Sequence, residues 1–176
     1  MQAIIRDLNF YTPRNKWTAK IITILFSLPF QLIFLHRILN YIFRTNKFGF
    51  FTAPLMYYQR VLTSCHIHPS AQIGREIRFP HPTGIVIGAG VVIGDSVTIY
   101  QGVTIGSHGK KGQDVKYPKI EDKVIIFANC VIAGSVVIGE GATIGAGSVV
   151  LSDIPSCAVA AGSPARVIRK YENPDK

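Results

Sequence analysis

Negative charge and paired cysteine are both scarce in this 176-residue chain. Ten Asp and Glu residues stand against nineteen Lys and Arg, for a net charge of +9, and only 16% of the residues are charged while 48% are hydrophobic. That composition excludes extensive disorder. The three cysteines, Cys65, Cys130 and Cys157, lack the number and spacing of a disulfide framework or a Cys-x-x-Cys metal site. We therefore expect a folded protein of the reducing cytoplasm.

A hydrophobic run long enough to cross a membrane is also missing. The longest apolar stretch, residues 21–35, contains Pro29 and Gln31 and falls short of the roughly 20 residues that a span needs. It lies too far from the start, and lacks the small-residue cleavage site, for a signal peptide. Residues 1–60 are predicted to form a helical, apolar and basic segment. Two roles stay open: contact through residues 16–47 with the inner face of the cytoplasmic membrane, or packing that caps a core or joins subunits.

From residue 67 onward the sequence has a period of six. Fourteen positions in three blocks carry a large apolar residue at this spacing: Ile67, Ile73, Phe79, Ile85; Ile87, Ile93, Ile99, Ile105; Ile120, Ile126, Ile132, Ile138, Ile144, Val150. An α-helix would repeat its apolar residues every three or four positions. A period of six, with Gly or another small residue often following, indicates a three-sided parallel β-helix in which three hexapeptides complete one coil.

Two interruptions of the repeat mark candidate site elements. The phase shifts by two residues between Ile85 and Ile87, just after residues 80–84, which read Pro-His-Pro-Thr-Gly. The interval from Ile105 to Ile120 is longer than the repeat requires and leaves room for a Gly- and Lys-rich insertion loop at 107–119. Insertions in solenoids often form loops on the binding face.

Residues 66–170 resemble the hexapeptide-repeat acyltransferases of the serine acetyltransferase type. The matching segments are 66–74, 81–88, 101–106, 117–120, 144–151 and 160–166. The resemblance implies a left-handed parallel β-helix over 61–163, followed by a C-terminal tail at 164–176. It also implies a homotrimer with acetyl-CoA bound and active sites between subunits.

Site residues follow from the same resemblance. His81 matches the catalytic histidine, and an imidazole is a suitable base for a hydroxyl that attacks the thioester directly. Small residues let the pantetheine arm approach the backbone, and polar or basic residues near the C-terminus meet the nucleotide end. The expected cofactor-binding residues are Gly106, Ala128, Gly145, Ala146, Ser163, Arg166 and Lys170.

This chain departs from the family pattern at positions that bear on which acceptor is bound. Members that acetylate L-serine resemble one another in having acids where this chain has His66 and Pro80, and an Arg-His-Pro where it has Lys116-Tyr117-Pro118. A buried ammonium needs a paired charge. We therefore expect an O-acetyltransferase acting on a saccharide hydroxyl, most like the short capsule and exopolysaccharide enzymes. Residues that could orient His81 or bind the acceptor are His66, Glu76, Asp95, Lys116 and Tyr117.

Other classes of function stay open. The first is a serine O-acetyltransferase of cysteine biosynthesis, and another is transfer to the amine of a nucleotide-linked aminosugar. A γ-type carbonic anhydrase or a non-catalytic scaffold is disfavoured, because His66, His68, His81 and His108 lack the His-x4-His spacing of its zinc site. No metal is expected. No nucleic acid is expected either, since the cations are dispersed and no aromatic platform accompanies them.

Overall fold

The computed structural model describes residues 2–12, 16–109 and 116–171. Four α-helices come first: α1 (Gln2–Tyr11), α2 (Trp17–Phe26), α3 (Leu28–Thr45) and α4 (Thr52–Thr63), with a short 3-10 turn at Gly49–Phe51 before α4. Ser27 ends α2 and begins α3, where its Oγ accepts a hydrogen bond from Phe30 N at 3.5 Å. Pro29 lies in the first turn of α3, where its missing N–H costs nothing. The two helices meet at a bend of 78°.

Short strands follow, most of them two residues long. They are β1 (His66–Ile67), β2 (Gln72–Ile73), β3 (Val86–Ile87), β4 (Val92–Ile93), β5 (Thr98–Ile99), β6 (Thr104–Gly106), β7 (Lys119–Ile120), β8 (Ile125–Ile126), β9 (Val131–Ala133), β10 (Val137–Ile138), β11 (Thr143–Ile144), β12 (Val149–Val150), β13 (Ala158–Gly162) and β14 (Ala165–Lys170). Apart from β13 and β14, which are antiparallel to each other, all pairs are parallel. Successive strands join different sheets, so the chain winds as a parallel β-helix, and the winding has the left hand expected from the hexapeptide repeat.

Three sheets form the faces of the prism. We call β1-β3-β6-β9-β12 the first face, β2-β4-β7-β10 the second, and β5-β8-β11-β13-β14 the third. Regular coils take 18 residues, as in the pairing of Ile87 with Ile105 on the first face. The first coil takes 20, from Ile67 to Ile87, and the third takes 27, from Ile105 to Ile132. Both predicted interruptions of the repeat are thus confirmed as extra residues in these two coils.

The core contains the predicted repeat positions and a second set of buried residues, each two places before one of them. Thirteen of the fourteen residues are buried, and Ile73 is half-buried. Residues two places earlier are small or branched and also buried: Ala71, Val91, Val97, Val103, Val124, Cys130, Val136, Ala142 and Ser148. Cys65 and Cys130 are core residues with free thiols, and burial raises the pKa of both. Full burial of each large aliphatic side chain contributes about 1.5–3 kcal/mol before entropy is counted.

The helices close the open end of the first coil. Arg37 of α3 pairs with Asp7 of α1 at 2.9 Å and donates to the backbone oxygens of Ile73 and Gly74. Asn40 Nδ2 donates to the backbone oxygens of Pro69 and Ala71. These bonds satisfy carbonyl groups that no further coil covers. The predicted helical segment therefore packs on the β-helix through α1 and α3.

In the described part of the chain, no single helix is long and apolar enough to cross a membrane, although α2 and α3 meet the length and composition together across their bend. At the opposite end of the prism, β14 pairs antiparallel with β13. The segment expected as a C-terminal tail at 164–176 thus carries a strand in its first half. Residues 172–176 lie outside the described part.

Candidate functional site

His81 lies where the chain passes from the third face to the first. This edge of the prism, which we call the His81 edge, is formed by residues 80–84, 100–102, 127–129 and 145–147 of successive coils. Backbone hydrogen bonds join the coils along it: Gly102 N donates to Thr83 O, Asn129 N to Gln101 O and Gly147 N to Ala128 O, at 2.8–2.9 Å. Thr83 N also donates to His81 O at 2.8 Å, which tightens the turn formed by the two extra residues. The His81 side chain is exposed.

An aromatic column stands beside the imidazole. The ring centroid of Tyr100 lies 6.4 Å from that of His81, and Phe127 stacks on Tyr100 at 5.1 Å with an interplanar angle of 24°. Gly145 and Ala161 continue the same column, so the wall gives way to a shelf of small residues that begins three coils above His81. The sequence carries a signal for this feature. Half of the twelve inward isoleucines are followed by Gly, whereas Ile99 and Ile126 are followed by the aromatic residues Tyr100 and Phe127.

The expected cofactor-binding residues fall into three groups. Ala128, Gly145 and Ala146 lie on the His81 edge, above the imidazole, and Ser163 follows the end of β13 at the top of that edge. Arg166 and Lys170 are exposed on β14. Gly106 ends β6 at the other margin of the first face, beside the insertion loop, with open space where a side chain would be. Three of the expected small residues, Ala128, Gly145 and Ala146, thus share the His81 edge. Gly106 lies on a different edge.

His66 is near the edge but makes no bond to orient the base. It lies on β1 of the first face, and its Nε2 is buried without a hydrogen-bond partner among the described residues. Burial, together with the charges of Arg60 and His68, lowers the pKa of His66. The shift disfavours the cationic form of His66, and an imidazole carries no negative charge in either form, so His66 offers no countercharge to an imidazolium.

The two acids proposed to orient His81 lie on a different edge. Glu76 accepts from Ser96 Oγ at 3.2 Å, and Asp95 accepts from Arg75 N at 2.7 Å and pairs with the Arg75 guanidinium at 3.5 Å. These residues turn the chain from the second face to the third, so a whole face separates them from the imidazole of the same subunit. The residues of the His81 edge include no Asp or Glu.

Lys116 and Tyr117 lie on the remaining edge, between the first and second faces, where the chain leaves the insertion loop. Tyr117 is half-buried, with its ring over Gly88 and Gly90, and Lys116 is exposed. His108, at the other described end of the loop, packs its ring against Gly134. Loop residues 110–115 lie outside the described part of the chain. Within one chain, then, the predicted site residues occupy three edges and do not meet.

No three His, Cys, Asp or Glu side chains come close enough to hold a metal ion within residues 2–12, 16–109 and 116–171. The chemistry available at the His81 edge is that of an exposed imidazole beside an aromatic wall and a shelf of small residues. Such an arrangement suits a proton transfer next to an extended ligand that needs close backbone approach.

Comparisons with known proteins show which family of proteins this chain belongs to. Residues 117–152 match the family model for bacterial transferase hexapeptide repeats. The chain is 42% identical over 137 residues to a serine acetyltransferase of Bacillus licheniformis, covering 77% of this chain and 62% of that protein. It is 32% identical to a serine acetyltransferase of Buchnera aphidicola over 177 residues, covering all of this chain and 67% of that protein. The chain therefore belongs to the serine acetyltransferase family of hexapeptide transferases, and it spans about two thirds of the length of these relatives.

Solved structures agree with this assignment. A soybean serine acetyltransferase complexed with serine superposes with a TM-score of 0.83 at 38% identity, covering 95% of this chain and 68% of that one. A serine acetyltransferase in complex with CoA superposes with a TM-score of 0.81 at 35% identity, covering 95% and 68%.

The expected saccharide acceptor is wrong. The relatives and structural neighbours are serine acetyltransferases, which is the alternative that the sequence left open, and the likeness to capsule and exopolysaccharide enzymes is not supported. The prediction depended on missing acids at two positions, 66 and 80. The likeness to serine acetyltransferases extends over the helices and all coils, so it carries more information about the acceptor than two side chains do.

Proposed function

We propose that this chain transfers the acetyl group of acetyl-CoA to the hydroxyl of L-serine. The observation that carries the proposal is the likeness, over 95% of the chain, to a serine acetyltransferase complexed with serine. A second neighbour in complex with CoA supports the choice of acyl donor.

His81 acts as the general base. Its imidazole takes the proton of the serine hydroxyl while the oxygen attacks the thioester carbonyl of acetyl-CoA. The C–S bond then breaks, the acetyl group stays on the serine oxygen, and the imidazolium returns its proton to the CoA sulfur. A backbone N–H stabilises the oxyanion of the tetrahedral intermediate. Exposure of the His81 side chain leaves it free to meet both substrates.

Acetyl-CoA lies along the His81 edge in this proposal. Its pantetheine arm follows the small residues Ala128, Gly145 and Ala146 toward the imidazole. Ser163, Arg166 and Lys170 meet the nucleotide end, where exposed cations can pair with phosphates. The Tyr100–Phe127 wall flanks the reacting end of the arm.

Neighbouring subunits complete the site. Because Lys116 and Tyr117 lie on a different edge from His81, the loop that approaches the substrates belongs to the next subunit of a homotrimer. Glu76 or Asp95 can reach the site only in the same way. On the His81 edge itself, the ammonium of serine has no carboxylate to pair with, and the ring faces of Tyr100 and Phe127 offer cation–π contacts instead.

The test measures CoA thiol release from acetyl-CoA with and without L-serine. We expect serine-dependent release in the wild type, and a fall in kcat of roughly 10²–10⁴-fold in both His81→Ala and His81→Asn. The melting temperature should be unchanged, since the His81 side chain is exposed. No serine-dependent release in the wild type would refute the proposed acceptor, whereas an active His81→Ala would refute the proposed base.

A further inference from the structure

Helix α2 (Trp17–Phe26) exposes an unusually apolar surface. Trp17 and Phe26 at its two ends are 73% and 77% exposed, and Ile22 and Leu25 between them are 59% and 57% exposed. Thr23 is the one buried residue of the helix. We call the exposed set the α2 patch: Trp17, Ile21, Ile22, Ile24, Leu25, Phe26 and Leu28. Contiguous apolar surface of this kind marks a contact with something other than water.

The helical segment that carries the patch has solvent-exposed charge of one sign. Residues 1–63 contain eight Lys or Arg and a single acid, so they hold seven of the chain's nine net positive charges. That acid, Asp7, is buried against Arg37. The cations that face solvent in the described part of the segment are Arg6, Lys16, Lys20, Arg44, Lys47 and Arg60. In the β-helix, by contrast, Arg75, Lys119 and Lys123 pair with acids.

A partner of this helical segment must cover exposed apolar side chains and also be compatible with exposed positive charge. A second copy of the chain would bring two positive surfaces into contact, which costs energy. A nucleic acid would neutralise the cations but leave Ile22, Leu25 and Phe26 in water. An anionic lipid surface satisfies both, because its headgroups attract Lys and Arg while the acyl boundary accepts the apolar side chains.

We propose that α2 docks the protein on an anionic membrane surface. Ten residues make a helix about 15 Å long, so α2 lies in the plane of the interface and does not cross it. Trp17 sits beside Lys16 at one end, a pairing suited to the headgroup level. The proposal concerns α2 alone and stands whether or not L-serine is the acceptor.

The chain contains one tryptophan, so Trp17 reports on the patch directly. The experiment titrates the full-length protein with vesicles of phosphatidylglycerol and phosphatidylcholine and records its emission spectrum. We expect a blue shift with mixed vesicles, none with pure phosphatidylcholine, and loss of the shift as salt screens the attraction. Vesicle flotation measures the bound fraction independently.

Matched variants separate charge from apolar contact. Lys16→Gln with Lys20→Gln should weaken binding by roughly fivefold per lysine, whereas Lys119→Gln with Lys123→Gln should not change it. Ile22→Ser with Leu25→Ser should weaken it by about tenfold or more. The control, Leu151→Ser with Ile168→Ser, removes equally exposed apolar residues from the β-helix and should bind as the wild type does.

Three results would overturn the proposal. One is an unchanged Trp17 spectrum with anionic vesicles. Another is equal binding to neutral and anionic vesicles. The third is a spectrum already blue-shifted without lipid and red-shifted on dilution as the particle mass falls, because the patch is then covered by a second copy of the chain.

Discussion

His36 lies on the side of α3 that packs against the first coil, with 1% of its surface exposed. Burial, and after it the charge of the adjacent Arg37, lowers the pKa of His36 to about 3, although a backbone hydrogen bond at Ala71 acts in the opposite direction. The folded protein therefore holds this imidazole neutral. In the unfolded chain it titrates at the ordinary value of 6.5. The difference links the docking of the helices to pH.

Stability should fall in acid because of this residue. Below pH 6.5 the unfolded state binds a proton at His36 that the folded state does not, so the free energy of unfolding decreases by about 1.4 kcal/mol per pH unit until pH 3. Urea denaturation at pH 7.5 and pH 5 measures it, with His36→Gln as the comparison. Between these two pH values the wild type should lose about 2 kcal/mol more than the variant. Equal losses would show that His36 is not the titrating group.

At the scale of single residues, sequence reasoning succeeded where a repeat governs the environment. The six-residue period identified all fourteen inward positions because each coil imposes the same surroundings on each of them. The burial of His36 was not predictable, since it depends on α3 docking against a coil far along the chain. Tyr100 and Phe127 were missed for a different reason. They stand at positions where the repeat often has Gly, and only the structure shows that their two rings stack.

The insertion loop is held at both of its described ends by side-chain packing. Its two described ends are anchored by the same device, an aromatic ring against a glycine: Tyr117 over Gly90, and His108 against Gly134. A methyl group at Gly90 would overlap the Tyr117 ring, so glycine there makes room for the ring. The coil spacing predicted where the loop is inserted. It carried no information about these anchors, because each joins residues from different coils.

Gly90→Ala should release the anchor at Tyr117. We expect faster tryptic cleavage after the exposed Lys116, with a small loss of stability because the rest of coil two is untouched. Gly49→Ala is the control, since a methyl group there meets nothing within 4 Å. Timed digestion followed by mass spectrometry gives the cleavage rate at this bond. Identical rates in Gly90→Ala and the wild type would mean that the ring contact does not hold the loop.

For the whole molecule, the distribution of site residues over three edges is the decisive feature. His81 with Ala128, Gly145 and Ala146 occupies one edge, the acids Glu76 and Asp95 a second, and Lys116 with Tyr117 the third. Sequence reasoning assigned them to one site from their motifs but could not separate them by edge, because a shift of six residues moves a position to another face. A rigid prism cannot bring its own edges together. Any site that uses two of them needs a second subunit.

Complementation between subunits tests that conclusion. His81→Ala lacks the base but keeps the loop, and Tyr117→Ala keeps the base but lacks the tyrosine of the loop. If the site joins the His81 edge of one subunit to the loop of the next, each homotrimer is impaired. Mixed trimers formed by co-expression then contain intact sites. At equal expression about a quarter of the interfaces join a good base to a good loop, as expected for a head-to-tail ring.

The measurement is serine-dependent thiol release by mixed trimers whose mass is verified by light scattering. A mixture of His81→Ala with His81→Asn is the matched control and should recover nothing, because none of its interfaces has a base. Full activity of the Tyr117→Ala homotrimer would remove the tyrosine from the site. Mixed trimers no more active than either parent would place base and loop at separate sites. Recovery above both parents requires that the two edges belong to different subunits, since within one chain a face of the β-helix always stands between them.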